Sequence, residues 1–479
     1  MSRRLVLAAV AAAVLLLGVA LAAAYVSTGS AGDPKPPNQG ESGKIQKPIT
    51  PKYVKDMLNE VDPANIENSI TTLAGFGTRN TLSSQTDPVR GIGAARDWLF
   101  NEFQKYAADS DGRMTVELQS YTQTISGQPI VITNVVATLR GTDPVSAGRH
   151  YVISGHYDSR CGSTNNATCD APGANDDASG VAAVLELARV MSKRPFESTL
   201  VFMAVAGEEQ NLFGSARYAT LAQAAGLNIE GMFTNDIIGS SVGGTGIEDA
   251  HTVRVFAEGV PTNETTGEAN TRRSIGGEND SPARQLARFV KEYGENEHTD
   301  MSVWVIYRRD RFNRGGDHIS FLERGFRSAV RFTEPNEDFD HQHQNVRIDP
   351  DTGEQIGDLV EFVDFDYVAR VARVDLSALA ALANAPVAPK NVRITSNLSY
   401  NTDLRWNANP EADLASYEIV WRDTTAPDWT HVINVGLPTP DASNVVRWTV
   451  EDMSKDNFFF GVRAVDTDGN RSQVVFPRP

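Results

Sequence analysis

Hydrophobic residues along residues 49–385 follow two patterns, which predict strands and helices. The segments HYVISGH (150–156) and STLVFMAVAG (198–207) are short apolar runs, typical of strands that are buried on both faces. GVAAVLELARVMSK (180–193) instead places its apolar residues at helical spacing. Because strand-like and helix-like segments take turns, we predict an α/β domain with a mainly parallel mixed sheet flanked by helices.

The pattern changes near residue 386. Short alternating segments follow, among them SYEIVWRD (416–423) and NFFFGVRAVDTDGN (457–470), separated by Pro, Asn and Asp turns. This predicts a small all-β sandwich over 386–479, and its last segment resembles the penultimate strand and turn of a fibronectin type III domain. We expect the tryptophans of this region to pack in its core: Trp406, Trp421, Trp429 and Trp448.

The N-terminus predicts export. Two arginines precede an apolar run over residues 5–25, and Ala22 to Ala24 offer a small-residue cleavage site. Residues 1–25 are either a signal peptide, which we favour, or a membrane anchor that tethers the protein, since about 20 apolar residues span a bilayer. The Pro-, Gly- and charge-rich residues 26–48 predict a disordered linker.

Charge and cysteine content narrow the function. The chain has 61 acidic and 44 basic residues, a net charge of −17, which argues against a nucleic-acid partner. Cys161 and Cys169 are the two cysteines of the chain, and both lie in one loop. Because export permits disulfides, we expect them to pair, with two free thiols as the alternative.

The residues around that loop carry candidate chemistry. His156 and Asp158 lie two apart where a strand ends, so both point into the edge where open α/β sheets bind ligands. Asp176 and Asp177 precede the predicted helix, where aspartates usually cap helix N-termini. Two adjacent aspartates near a second acidic cluster favour cation binding instead, and one carboxylate has two oxygens with which to bridge two metals.

Further candidates follow other predicted strands. Glu208 and Glu209 end a buried strand, where two carboxylates are costly unless a cation or proton offsets them. We predict that one binds a metal while its neighbour takes a proton from water. Asp236 ends another apolar strand, where an aspartate alone is usually a turn or cap residue, and FTEPNEDFDHQHQ supplies His341 and His343. This mixed set of nitrogen and oxygen ligands suits zinc.

The ordered motifs H-x-D, N-D-D-A-S-G, E-E, N-D and a late histidine resemble co-catalytic zinc aminopeptidases of the bacterial leucyl-aminopeptidase and glutamate-carboxypeptidase type. The resemblance covers about residues 50–375 and implies a zinc exopeptidase fold that holds two Zn²⁺ ions. It implies that Asp158 orients one histidine, that Glu208 is the general base and that the Asp176–Asp177 peptide bond is cis. The metal ligands that it implies are His156, Asp176, Glu209, Asp236 and His343.

One ligand departs from the family pattern. The final histidine commonly lies in a Y-H-T-P-like context, whereas this chain has DHQHQNVRI, so we favour His343 over His341 from its distance to the preceding FTEPNEDF. His318 is expected to be structural or to support a ligand, and Asp170 has no predicted role. Four arginines precede His318 and bind either a substrate carboxylate or, as we favour, nearby acids: Arg308, Arg309, Arg311 and Arg314.

These observations predict an exported zinc-dependent aminopeptidase that acts on peptide substrates. The alternatives are carboxypeptidase specificity, a glutaminyl cyclase-like transferase with one zinc on the same scaffold, and a cell-surface binding protein without catalysis. Retention of all the ligands together with Glu208 argues against the last of these.

Overall fold

The structure is a computed structural model that describes residues 42–479. The predicted signal peptide or anchor lies outside the described residues, and within 42–479 no helix is long and apolar enough to cross a membrane. The α-helices are α1 (Lys52–Glu60), α2 (Pro63–Gly75), α3 (Ile92–Ala108), α4 (Ala178–Met191), α5 (Phe213–Ala224), α6 (Thr266–Ser274), α7 (Pro282–Gly294), α8 (His318–Glu323) and α9 (Phe365–Asn384). Two short 3₁₀ helices span Gly277–Asp280 and Val360–Phe362.

The strands form one large sheet and three smaller ones. They are β1 (Ser42–Lys44), β2 (Met114–Ile125), β3 (Gln128–Leu139), β4 (Arg149–His156), β5 (Thr199–Val205), β6 (Asn228–Asn235), β7 (Thr252–Phe256), β8 (Ser302–Ile306), β9 (Ala329–Thr333), β10 (Arg347–Ile348), β11 (Gln355–Ile356), β12 (Lys390–Ile394), β13 (Thr402–Asn407), β14 (Leu414–Asp423), β15 (His431–Asn434), β16 (Val445–Val450) and β17 (Phe458–Asp466). The short pair β10–β11 is a separate two-stranded sheet.

The large sheet has eight strands in the order β2-β3-β5-β4-β6-β9-β7-β8. Parallel pairs join β4 to β5 and β6, β6 to β9, and β7 to β8, while β2, β3 and the β7–β9 pair are antiparallel. This confirms the predicted mainly parallel mixed sheet flanked by helices. Because β4, β5 and β6 are parallel neighbours, their carboxyl ends meet at one edge, where ligands bind in open α/β sheets.

Helix α4 packs against the sheet next to the carboxyl end of β4. Its sequence ASGVAAVLELARVM is buried along almost its whole length, because it packs between β4 and helix α9. A helix that is apolar over most of its surface must be covered on most sides. Asp177 caps its first turn by accepting a hydrogen bond from Gly180 N at 3.0 Å. This cap therefore fixes where the helix begins, next to the end of β4.

The C-terminal region forms the sheets β12-β13-β16 and β15-β14-β17, and strand β1 joins the second sheet next to β15. Trp406 and Trp421 are fully buried in the core between them, and Trp448 packs against that core. Trp429 differs, because its Nε1 donates to Gln285 of helix α7 at 3.0 Å. The packing role expected for the tryptophans thus includes contact with the larger domain, while the fibronectin type III resemblance stays a prediction.

Residues 42–48 differ from the disordered linker predicted over 26–48. Ser42–Lys44 form strand β1, which pairs antiparallel with β15, and Ile45 N donates to Thr430 O at 3.0 Å. An edge strand leaves a row of backbone groups unpaired, and a short polar segment can satisfy them whatever its composition. The polar, glycine-containing sequence gave no strand signal because the partner strand lies far along the chain.

Buried ion pairs join the C-terminal sheets to helix α7. Asp280 is 2% exposed and lies 2.9 Å from Arg288 Nη1 and 2.7 Å from Arg422 Nη2. Arg463 likewise pairs with Glu292 at 3.0 Å and with Glu418 at 2.7 Å. These buried ion pairs therefore hold the C-terminal sheets and helix α7 in one arrangement.

We expect Asp280→Ala to lower the free energy of unfolding by roughly 3–5 kcal/mol, because it leaves Arg288 and Arg422 buried without their partner. Urea denaturation followed by circular dichroism measures the change. Arg447→Ala is the matched control: its pair with Asp441 is exposed, and it should cost about 0–1 kcal/mol. Equal costs for the two variants would contradict the account.

Candidate active site

The carboxyl ends of three neighbouring strands and the start of one helix deliver most of the site. His156 is the last residue of β4, Glu208 and Glu209 follow β5, and Asp236 directly follows β6. Asp176 lies two residues before helix α4. The late histidine comes from the loop after β9, which folds back over this edge.

Two groups of side chains share one carboxylate. Asp176 Oδ1 lies 3.0 Å from His156 Nε2, and Asp236 Oδ1 lies 3.8 Å from the same nitrogen. Asp176 Oδ2 lies 2.8 Å from His343 Nε2, and Glu209 Oε1 lies 3.1 Å from that nitrogen. Asp176 thus presents one oxygen to the first group, with His156 and Asp236, and its other oxygen to the second group, with Glu209 and His343.

The donor set of both groups fits a cation. Within each group the ligand atoms lie within 4.8 Å of one another. His156 Nε2 and Glu209 Oε1 are buried and make no hydrogen bond, although a carboxylate oxygen and an imidazole nitrogen lie 3.0 and 3.1 Å away. Buried polar atoms nearly always have partners, so a metal held in each group would satisfy the unpaired atom of that group. Mixed imidazole and carboxylate ligands suit zinc.

Asp158 contacts both His156 and the turn that carries Glu208 and Glu209. Its main-chain oxygen lies 3.1 Å from His156 Nδ1, closer than its carboxylate at 3.7 Å. The carboxylate instead accepts hydrogen bonds from Glu208 N and Glu209 N, both at 3.2 Å, and from Thr81 Oγ1 at 3.1 Å. The residue can therefore orient His156 through its carbonyl, while its side chain fixes the backbone that carries both glutamates.

The Asp176–Asp177 peptide bond is cis, as the family resemblance implies. Asp177 holds the turn on one side, because its Oδ2 accepts from His156 N at 2.9 Å. Asp358 holds it on the other side by accepting from Asn175 N and Asp176 N at 2.7 and 2.8 Å. Burial raises the pKa of Asp358 to about 7. These contacts fix the direction in which the Asp176 side chain leaves the backbone.

Arg331 on β9 orients Asp236. Its Nη1 lies 2.5 Å from Asp236 Oδ2, and its Nη2 donates to the Asp236 carbonyl at 3.1 Å. Burial raises the pKa of Asp236, but Arg331 and then His156 outweigh it and hold the pKa well below its usual range. Asp236 is therefore an anion, with Oδ2 taken by Arg331 and Oδ1 directed at His156.

Glu208 lies among other carboxylates. Burial raises its pKa well above the usual value; His156 opposes the shift, while the carboxylates of Asp236, Glu209 and Asp317 add to it. The buried Asp317 has its own pKa raised to about 7 by burial. These neighbours and its burial make Glu208 hold a proton more readily than an exposed glutamate does.

The structure brings His343 into the site and leaves His341 outside both groups. His341 stacks on Phe362 with ring centroids 3.7 Å apart and lies 3.4 Å from Asp338. His343 has a φ of 59°, a left-handed conformation that turns its side chain towards Asp176. The geometry therefore agrees with the preference for His343.

The remaining predicted residues lie around the site. His318 Nε2 is 2.7 Å from the Arg309 carbonyl and belongs to neither group. Arg311 and Arg314 pair with Glu337 at 3.4 and 2.5 Å, so these two arginines follow the ion-pair interpretation. Arg308 lies over the exposed ring of Phe312, 5.4 Å from its centroid. Asp170, which had no predicted role, pairs with Arg90 at 2.9 Å on the surface.

Arg79 is a buried residue of the site that the sequence did not indicate. It is fully buried, and its Nε donates to the Tyr157 carbonyl at 2.7 Å and its Nη2 to the Gly173 carbonyl at 2.9 Å. It therefore links the segment after His156 to the segment before Asp176. Its surroundings in the sequence, GFGTRN, read as an ordinary loop, so no local signal could have found it.

Cys161 and Cys169 form the predicted disulfide. Three contacts join this loop and the preceding Arg160 to Glu209 and to residues close to the ligands of the second group. Arg160 Nη1 lies 3.8 Å from Glu209, Gly162 N donates to Asn345 Oδ1 at 3.2 Å, and Gln210 Nε2 donates to the Thr164 carbonyl at 3.0 Å. The disulfide therefore supports the side of the site that holds Glu209 and His343.

We expect the double variant Cys161→Ser and Cys169→Ser to weaken zinc binding at the second group by about tenfold, as loss of outer supports of ligands does. Equilibrium dialysis with elemental analysis measures zinc per chain across free zinc concentrations. Asn165→Ala, in the same loop with an exposed side chain, should leave binding unchanged. Equal weakening at both groups would contradict a selective support.

The sequence of the chain is similar to those of known proteins. Residues 134–363 match the model of peptidase family M28. A protein of Pyricularia oryzae (strain 70-15 / ATCC MYA-4617 / FGSC 8958) named "Probable zinc metalloprotease" is 52% identical over 453 residues, which cover 93% of this chain and 88% of that protein.

Two solved structures are similar at lower identity. The LapA aminopeptidase of Legionella pneumophila is 18% identical, with a TM-score of 0.49 over 71% of this chain and 78% of that chain. The glutaminyl cyclase of Porphyromonas gingivalis is 16% identical, with a TM-score of 0.44 over 66% of this chain and 97% of that chain.

Proposed function

This chain belongs to peptidase family M28 and is a zinc metalloprotease, and we propose that it is an exported aminopeptidase with two zinc ions and Glu208 as general base. The observation that carries the proposal is the position of Asp176, whose two oxygens face two separate groups of ligands. In the proposal His156 and Asp236 complete one zinc site and Glu209 and His343 complete the other, with Asp176 shared.

The chemistry follows from the residues around the two groups. When bound, zinc lowers the pKa of water and polarises the carbonyl of the scissile peptide bond. The Glu208 carboxylate takes the proton from the attacking water and delivers it to the nitrogen of the leaving amine. Asp158 keeps Glu208 and Glu209 in place by accepting hydrogen bonds from their two amides. Arg331 leaves Asp236 one oxygen for the metal.

The charges of the site support action at the amino end of a peptide. Carboxylates surround the metal groups, and the buried Arg331 is already paired with Asp236. A carboxypeptidase needs a cation to hold the terminal carboxylate of its substrate, and two of the candidate arginines, Arg311 and Arg314, are instead paired with Glu337. A substrate with a positively charged amino terminus is therefore the better electrostatic match.

The disulfide supports the export part of the proposal, because disulfides persist in oxidising compartments. Peptides outside the cytoplasm are then the expected substrates. A membrane tether through residues 5–25 stays a proposal, because that segment lies outside the described residues.

One peptide prepared in three forms tests the specificity: free at both ends, acetylated at the amino end, and amidated at the carboxyl end. We expect mass spectrometry to show stepwise loss of N-terminal residues from the free and amidated forms and none from the acetylated form. A zinc chelator should stop the reaction, and added zinc should restore it. Loss of residues from the carboxyl end would show a carboxypeptidase, and loss of ammonia from an N-terminal glutamine would show a cyclase.

A further inference from the structure

Gln342 contacts the carboxylate of Asp176, the residue shared by the two ligand groups, although neither the motif pattern nor the family resemblance points to it. Its side chain is buried, and its Nε2 donates to Asp176 Oδ2 at 3.0 Å. The same oxygen lies 2.8 Å from His343 Nε2. Two consecutive residues therefore converge on one oxygen atom of Asp176.

That convergence depends on an unusual backbone conformation. Side chains of consecutive residues normally diverge, but His343 has a φ of 59°, in the left-handed region that non-glycine residues rarely adopt. Gln342 N donates to the Asp338 carbonyl at 3.0 Å, which closes the turn before it. Such a conformation persists where the surroundings hold it, and it often occurs at functional sites.

The hydrogen bond leaves Asp176 free to bind an ion. A carboxylate oxygen has two lone-pair directions, so Oδ2 can accept from Gln342 along one and face a cation along the other. Gln342 carries no charge, so it orients Asp176 without competing electrostatically with a metal, unlike the guanidinium of Arg331 at Asp236.

The amide of Gln342 is held in this orientation. Its Oε1 is buried and makes no hydrogen bond, which is costly for an acceptor. Turning the amide over would place that oxygen against Asp176 Oδ2, two acceptors facing each other, and would lose the bond to Asp176. The donor orientation is the one that leaves the carboxylate satisfied.

We infer that Gln342 is a positioning residue that fixes the Asp176 carboxylate and thereby sets the zinc affinity of the group formed by Asp176, Glu209 and His343. The inference rests on the proposed two-zinc site. Loss of such an outer hydrogen bond to a ligand typically weakens metal binding by about 10- to 100-fold.

The test compares Gln342→Met, which keeps the size of the side chain and removes its donor, with Gln344→Met. Gln344 lies in the same loop, and its Nε2 donates to the Phe339 carbonyl on the exposed side. Zinc binding is measured by equilibrium dialysis with elemental analysis, and thermal unfolding is measured on the zinc-free proteins. Gln342→Leu serves as a second apolar replacement.

We expect both Gln342 variants to bind zinc about 10- to 100-fold more weakly at the second group, formed by Asp176, Glu209 and His343. Binding at the first group should change less, because Gln342 contacts Oδ2 of Asp176 and not Oδ1, and the unfolding temperature of the zinc-free protein should stay the same. Gln344→Met should behave as the wild type. Unchanged binding of the second zinc, or a loss that only follows a lower unfolding temperature, would overturn the inference. Wild-type protein that binds a single zinc would instead refute the two-zinc proposal, and the affinity for that one ion would still decide the role of Gln342.

Discussion

Asp176→Asn is expected to leave the protein folded with less than one zinc per chain and with no detectable peptidase activity. The two oxygens of Asp176 face the two ligand groups, at 3.0 Å from His156 and 2.8 Å from His343. An asparagine keeps the shape of the side chain but replaces one acceptor with an NH₂ donor and removes the negative charge. Both zinc sites should therefore fail together, as elemental analysis of the dialysed protein would show.

Asp170→Asn is the control for this variant. Asp170 also precedes helix α4, but its side chain is exposed and pairs with Arg90 on the surface at 2.9 Å. An exposed ion pair contributes only about 0–1 kcal/mol, so the control should fold and retain zinc. If the control lost zinc as fully as Asp176→Asn, or if Asp176→Asn retained two ions, Asp176 would not be the shared ligand.

Glu208→Gln is expected to lower the turnover rate by about 100- to 10,000-fold while both zinc ions and the fold are retained, since this is the range that general acid–base catalysis contributes. Glutamine has the size of glutamate but cannot accept the proton from water. Glu208 is part of neither ligand group, so zinc binding should not depend on it. The measurement pairs kcat on the free peptide with zinc per chain.

Glu248→Gln supplies the control for charge, because Glu248 is exposed and lies outside the site. It should match the wild type in turnover and zinc content. Zinc loss in Glu208→Gln, or a turnover rate close to that of the wild type, would argue against Glu208 as the base.

The strand ends of the site could be predicted from sequence because each follows a buried apolar run. His156, Glu209 and Asp236 all lie at or just after such runs, and parallel strands bring their carboxyl ends together. The choice between His341 and His343 was harder. It depends on a left-handed turn and on the packing of His341 against Phe362, neither of which has a periodic signal in the sequence.

Residues that support the ligands were missed for a common reason. Arg79, Arg331 and Gln342 all act on residues at least 78 positions away along the chain. Local pattern does not encode such distant pairs. Arg331 alone left a trace, since a charged residue inside the apolar strand AVRFT needs a buried partner.

In the C-terminal region, too, local pattern predicts the strands but not the contacts between distant segments. Its strands were predictable from alternation, but strand β1 and the ion pairs of Asp280 with Arg288 and Arg422 were not. These contacts join segments that are distant in sequence. They make the β-sandwich region part of one folded arrangement with helix α7, whereas the sequence alone leaves it as an appended module.

Anomalous X-ray diffraction at the zinc absorption edge, from crystals grown with zinc, tests the central claim most directly. The account predicts two zinc peaks, one contacted by His156 and Asp236 and the other by Glu209 and His343, with a different oxygen of Asp176 on each. A single peak, or two peaks that do not share Asp176, would contradict it.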